Sequence, residues 1–288
     1  MTHCFTFFLP HSLAAQYTKQ WHDERIGFHL SNVNPILIRN INHLIPVAKE
    51  EDDTASSSNK DGDGNADTCY SVGTGTSSSG GSRRVFVPLC GKAVDMAYLA
   101  GLESVEKVVG VDGISVAIEE FAKEQPQLNV QRVSCDDDTA TGKNSIDHSV
   151  EQWDGKKISL FVADFFGLTE TETLLGSKFD AIYDRGSLVA INPNMSDNYL
   201  DVIGKLIAPG GKILLVTLER RGDDEAVVKK GPPFSISETT VRALFEPLEW
   251  VDKIDVLEVE NIIDSEPPEK VRGLNSYLEI VFLITATK

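Results

Sequence analysis

At 288 residues with 41% apolar content, the chain can bury a substantial core, and a single α/β domain is the expectation for that size. Its 27 basic and 44 acidic residues leave a net charge of −17, which repels phosphate backbones and anionic lipid and argues against nucleic acid or a membrane as partner. Nothing in the sequence approaches the ~20 consecutive apolar residues of a membrane span.

The opening MTHCFTFFLPHSLAA lacks a basic start, and Pro10 and His11 break its apolar run, so it does not read as a secretory signal; an Arg- and Ser-rich transit peptide is equally poorly matched. Cys4, Cys69, Cys90 and Cys135 have neither CxxC spacing nor the density of a disulfide scaffold. A reducing, cytoplasmic setting fits. Residues 48–82 are almost all Ser, Gly, Thr, Asp and Asn, a composition that cannot offset its ordering entropy, and are expected to be a disordered insertion. Its DGDGNAD imitates a calcium loop, but Ala66 and Val72 replace the glycine and glutamate such a loop requires. Residues 49–67 hold seven acids and two bases, and 134–154 six acids and one base, so much of the negative charge is local.

Beyond residue 82, strands and helices alternate. RVFVPLC reads as a buried strand, KAVDMAYLAGL as a helix, VEKVVGVDG as a strand and SVAIEEFAKEQ as a helix ended by Pro126. A polar insertion over 131–157 follows. ISLFVADFF and FDAIYDR are the third and fourth strands, MSDNYLDVIGKLIA a helix closed by Pro209-Gly210-Gly211, and KILLVTLER the fifth strand. ISETTVRALF reads as a helix, and WVDKIDVLEV and SYLEIVFLITAT as the last two strands. Strands separated by helices predict a doubly wound, mainly parallel, seven-stranded Rossmann-like sheet, and the helix-free step before the last strand makes that strand antiparallel.

In such a sheet, ligands sit beyond the carboxyl ends of the strands, where strand order reverses. Pro88-Leu89-Cys90-Gly91 ends the first strand; Gly91 would let backbone approach a ligand, and a helix starting near Lys92 would offer amides. This loop is neither GxGxxG nor a P-loop, since Ala93 replaces the P-loop Ser/Thr and no glycine stands five residues before Gly91. Asp112 ends the second strand 21 positions after Gly91, where an acid commonly accepts both ribose hydroxyls. Asp164-Phe165 ends the third, offering an acceptor for an exocyclic amine beside an aromatic wall. Each acid alone is more often a cap or turn residue. At three successive strand ends they favour a nucleoside site, and without a diphosphate loop that site points to S-adenosyl-L-methionine.

VFVPLCGKAVDM, VVGVD, FDAIYDRGSLVAINP, GPPF and the N-terminal WHDERIGFH together resemble the thiopurine S-methyltransferase family, from about Tyr17 to the C-terminus apart from the two insertions. The resemblance implies a single methyltransferase domain over 1–288 whose N-terminal segment, 12–45, folds over the cofactor as a lid bearing Trp21 and Phe28. It places Leu89 against the methionine part of S-adenosyl-L-methionine, Asp112 on the ribose, Asp164 and Phe165 on the adenine, and Arg185 near the methyl group and the acceptor. Pro232, in GPPF, would border the acceptor pocket with Phe28 and Arg185. Tyr17 stands where the family usually has a second tryptophan, and no arginine around SEPPEKVRG clearly matches a substrate-facing one of some members, only Lys270 and Arg272 being basic there. The implied acceptor is an aromatic or heterocyclic thiol, with selenium, tellurium, sulfide or halide acceptors as the alternative, and the implied state a monomer. A non-catalytic binding protein is the reading of another class; a nicotinamide oxidoreductase is disfavoured by the missing GxGxxG. His29 lacks an acid in sequence to orient it, Cys90 lacks an activating base, and no histidine pair predicts a metal.

Overall fold

The computed structural model describes residues 30–46, 82–133, 150–170 and 175–288. Tyr17, Trp21, Phe28 and His29, almost all of the 48–82 insertion and the middle of 131–157 lie outside the described residues. Within them stand nine strands: β1 (Arg83–Pro88), β2 (Val105–Asp112), β3 (Gln131–Arg132), β4 (Glu151–Gly155), β5 (Ile158–Val162), β6 (Phe179–Arg185), β7 (Ile207–Arg221), β8 (Val251–Asn261) and β9 (Ser276–Ala286). They form one sheet in the order β3-β4-β5-β2-β1-β6-β7-β9-β8.

The five central strands are parallel, as β1 pairs with β2 and β6, β2 with β5 and β6 with β7. Their near-continuous Val, Ile, Phe and Leu follow from cover on both faces. From β1 the chain works outward through β2 to β5, then returns to place β6 on the other flank of β1. That reversal sets the switch point between β1 and β6. As the sequence predicts, the C-terminal pair is antiparallel, with β9 between β7 and β8.

Two strands were not expected. The ends of the polar 131–157 stretch pair with each other, Gln131 opposite Asp154, and β4 runs antiparallel to β5 with Trp153 opposite Leu160. All five residues of β4 are only half-buried, so this segment lacks the apolar run that marks the central strands. A second difference is the helix expected from Lys92, which begins instead at Asp95 (α2, Asp95–Gly101) after an irregular loop with Leu89 at φ 40° and Gly91 at φ 51°.

Two cores flank the sheet. One face is covered by α2 and α3 (Ser115–Glu124), which bury Met96, Leu99, Ile118 and Phe121, and by α1 (Pro35–Leu44), whose Leu37 is fully buried. Helix α1 lies inside the stretch expected as a lid; Asn34 caps it by accepting from the Ile36 amide, and it is held to β8 by Arg39 and Asn40 on Glu258 at 2.6 Å each. On the other face α4 (Ser196–Leu206) and α5 (Glu238–Phe245) pack through Tyr199, Leu200, Ile203, Val241 and Phe245. A methyl group at Gly204 of α4 would run into the Trp250 indole. Gly204→Ala is therefore expected to destabilise by about 1–3 kcal/mol, against the modest gain that glycine removal usually brings to a helix, as read by chemical denaturation.

Candidate functional site

The loop after β1 is fixed from beneath by β2. The Cys90 amide donates to the Val111 carbonyl at 3.0 Å, and the Gly91 amide to Asp112 Oδ2 at 2.8 Å. Asp112 Oδ1 accepts from the Ile114 amide at 2.8 Å, so one carboxylate joins the loops after β1 and β2. The Gly113 amide also favours its charged form, so three backbone amides gather on this carboxylate. Burial pushes this carboxyl up to about 6, against the pull of the amides that favour its charged form. Gly91 spends its amide on Asp112, and because the helix begins at Asp95 the helix-start amides expected near Lys92 are not there; the Lys92 side chain ion-pairs with Glu120 and Glu124 of α3 at 2.8 and 2.7 Å. Burial raises the Cys90 thiol well above its usual range, which suits a packed, inert side chain.

Asp164, beyond β5, turns the chain by accepting from the Phe166 amide at 3.0 Å, and it is half-buried with its carboxyl raised by desolvation. The aromatic wall assigned to Phe165 needs correction. Its ring is 1% exposed and stacks on Tyr199 at 5.0 Å, deep in the core. Phe166, only partly buried and edge-on to Phe165 at 5.5 Å, is the ring nearer the surface.

Arg185 ends β6 at the switch point. Its neighbour Asp184, an obvious partner by sequence, is 2% exposed and occupied elsewhere, accepting from the Tyr199 hydroxyl at 2.5 Å and from the Ser187 and Leu188 amides at 3.1 and 3.3 Å. Ser187 Oγ in turn donates to the Pro88 carbonyl at 2.6 Å, tying the β6 loop to the β1 loop. The acids in the field of Arg185 are Asp95 and Glu279. Asp95 is buried, accepts from the Asn34 amide at 2.7 Å and from the Tyr183 hydroxyl at 3.4 Å, and has its carboxyl raised by desolvation. Sequence reading passed over Asp95 and Glu279; one stands in a helix-like run and the other in an alternating strand, where nothing local marks an acid as part of a site.

In the GPPF stretch Pro232 is exposed, while the Phe234 amide donates to the Val189 carbonyl at 2.6 Å and so hangs the turn on the segment after Arg185. Arg220 braces the same turn, donating through Nη1 to the Lys230 and Pro233 carbonyls at 2.8 and 2.6 Å. A cleft of about 530 Å³ opens here between Pro193, Arg220, Phe234 and Thr240. Of the two bases near the C-terminus, Lys270 is paired with Glu266 at 2.8 Å and lies 5.9 Å from the Tyr277 ring, whereas Arg272 is exposed.

Acids at the ends of β2 and β5, a cation at the end of β6 and a backbone loop between them, on a sheet whose central order reverses at β1, define an S-adenosylmethionine-dependent methyltransferase. The fold is similar to that of Burkholderia thailandensis 1,6-didemethyltoxoflavin-N1-methyltransferase, solved with 1,6-didemethyltoxoflavin and S-adenosylhomocysteine, at a TM-score of 0.51 and 16% identity over 99% of this chain and 94% of that one. The family model for Thiopurine S-methyltransferase matches residues 74–287. Among curated relatives, the Thiopurine S-methyltransferase of Vibrio campbellii is 31% identical over 265 residues, covering 92% of this chain and 94% of its own. That of Nitrosospira multiformis is 30% identical over 271 residues, covering 93% and 96%. The chain belongs to the thiopurine S-methyltransferase family.

The donor set fits the cofactor. Asp112 places a carboxylate at the end of β2, where it can accept from ribose hydroxyls, and Asp164 a half-buried carboxylate for an amine.

Proposed function

We propose that this protein transfers a methyl group from S-adenosylmethionine to an aromatic or heterocyclic thiol. The observation that carries the reading is the position of Arg185, on the strand beside β1 with its charge acting on Asp95 and Glu279, at the same end of the sheet as Asp112 and Asp164. S-adenosylmethionine, when bound, supplies a methyl group activated by its sulfonium. Asp112 would hold the ribose, Asp164 the adenine amine, and the Leu89 backbone the methionine portion. The chain's main task is then to orient the acceptor, which can supply ~7–11 kcal/mol. Arg185, with a charge fixed at any working pH, favours an acceptor in its thiolate form and steadies it. The GPPF turn, hung on Val189 and braced by Arg220, would border the acceptor, with Pro232 at its rim.

The reading is tested by calorimetry with S-adenosylhomocysteine and NADH, followed by incubation with S-adenosylmethionine and a panel of aryl thiols, sulfide, selenite and iodide. Binding of S-adenosylhomocysteine but not NADH, with methylation of an aryl thiol, is the expected result. Turnover confined to selenite, sulfide or iodide would move the acceptor class, and absence of S-adenosylhomocysteine binding would overturn the site.

A further inference from the structure

The face of the sheet that carries Arg185 holds a carboxylate so far without a task. Arg185 pairs in register with Val216 of β7, Val216 with Val281 of β9, and Leu218 with Glu279. Since side chains alternate along a strand, Arg185, Leu218 and Glu279 project from one face, the face that α1 covers farther along. The electrostatics agree with the register. Glu279 feels the charge of Arg185 and makes its own felt at Tyr183 and Tyr277. The other charges acting on it are Glu260, its partner on β8, Arg39 of α1, and Glu266 in the turn after β8. No described residue donates a hydrogen bond to its carboxylate, and partial burial lifts the group above the ordinary glutamate range despite Arg185.

A carboxylate with open lone pairs, beside a fixed cation at the ligand end of the sheet, meets the geometric and electronic needs of a proton acceptor. We propose that Glu279 is the general base of the acceptor site, extending the range of acceptors to thiols that are not ionised in solution. This rests on the thiol reading above. The acceptor S–H bond breaks heterolytically: the proton passes to a Glu279 carboxylate oxygen, the electron pair stays on sulfur as a thiolate beside Arg185, and the carboxylic acid later returns the proton to water. A strongly acidic aryl thiol arrives ionised and has little need of the step; a weakly acidic one depends on it.

The test uses the full chain, Glu279→Gln, and two aryl thiols, one acidified by a nitro group and one made weakly acidic by a methoxy group. With S-adenosylhomocysteine bound, and about one pH unit below the methoxy thiol's own pKa, calorimetry in buffers of different ionisation enthalpy counts the protons released as the thiol binds, without any methyl transfer. Wild-type protein is expected to release almost none, the proton passing to Glu279, and E279Q to release most of one proton per thiol bound as thiolate beside Arg185, with S-adenosylhomocysteine affinity and unfolding temperature unchanged as controls of folding. In turnover, kcat/KM is expected to fall by about 10²-fold or more for the methoxy thiol, with a far smaller loss for the nitro thiol. Equal losses on both thiols, or the same proton release from both proteins, would make Glu279 only a neighbour of Arg185 and overturn the proposal. Wild-type protein that binds S-adenosylhomocysteine yet accepts no thiol would instead overturn the thiol reading, and the base role with it.

Discussion

Asp112→Ala is expected to weaken S-adenosylhomocysteine binding by about 10²–10⁴-fold, because two hydrogen bonds to a charged acceptor are lost at ~1.5–3 kcal/mol each. The loss compounds locally: the same carboxylate accepts the Gly91 and Ile114 amides, so its removal also frees the loops that shape the site. Calorimetry on folded variant decides the matter, and affinity within threefold of wild type would remove Asp112 from the ribose. The pH dependence gives a second signature. With its carboxyl near 6 in the unliganded protein, Asp112 is costly to ionise, so its contribution to folding is full below about 4 and is lost as pH rises through about 6. Binding runs the opposite way. Ribose hydroxyls donate to the charged form, so affinity should climb with pH to about 6 and then level, and this climb should vanish in Asp112→Asn.

The second large effect concerns stability. Asp184 is a buried carboxylate with three donors, the Tyr199 hydroxyl and the Ser187 and Leu188 amides. Asp184→Ala leaves all three without a partner in a site closed to water, at a cost of about 3–5 kcal/mol, or roughly 10 °C in unfolding temperature for a chain of this size. Asp184→Asn keeps an oxygen for the two amides and should cost clearly less. Thermal unfolding followed by circular dichroism separates the two; a shift under about 2 °C for the alanine variant would mean that the network adds nothing to the fold. Because Ser187 also reaches the Pro88 carbonyl, loosening this loop should disturb the β1 loop as well.

Legibility in the sequence followed burial. FDAIYDR was read as a strand with the bounds it has, and VEKVVGVDG with one residue too many at its end, because a strand covered on both faces needs an uninterrupted apolar run. β4 escaped because EQWDG stays half-buried near an edge, where composition is free. The helix after β1 was started too early because Lys92 and Ala93 suit a helix, while the left-handed turn at Leu89 and Gly91 and the pull of Asp112 on the Gly91 amide hold the chain open to Asp95. The positions of Asp112 and Asp164 just at or beyond the ends of their strands were legible. The site was not legible where side chains from distant strands converge, since the meeting of Arg185 with Glu279 depends on β9 inserting beside β7, and the pairing of Asp95 with Asn34 crosses 61 positions. Phe165 and Phe166 show a third limit: sequence places an aromatic pair at a strand end without deciding which ring turns inward.

The sheet also settles how its own margins behave. Among the described residues it closes at one side with β3, only two residues long and exposed, and at the other with β8, whose exposed residues include Asp252, Lys253 and Glu260. Unpaired amides and carbonyls along an edge invite another chain to add a strand, and short edges and alternating charge are what oppose it. Nine strands wide, and with Val259 lying 56% exposed on its long margin, this sheet is guarded against edge-to-edge aggregation by the brevity of one border and the acidity of the other.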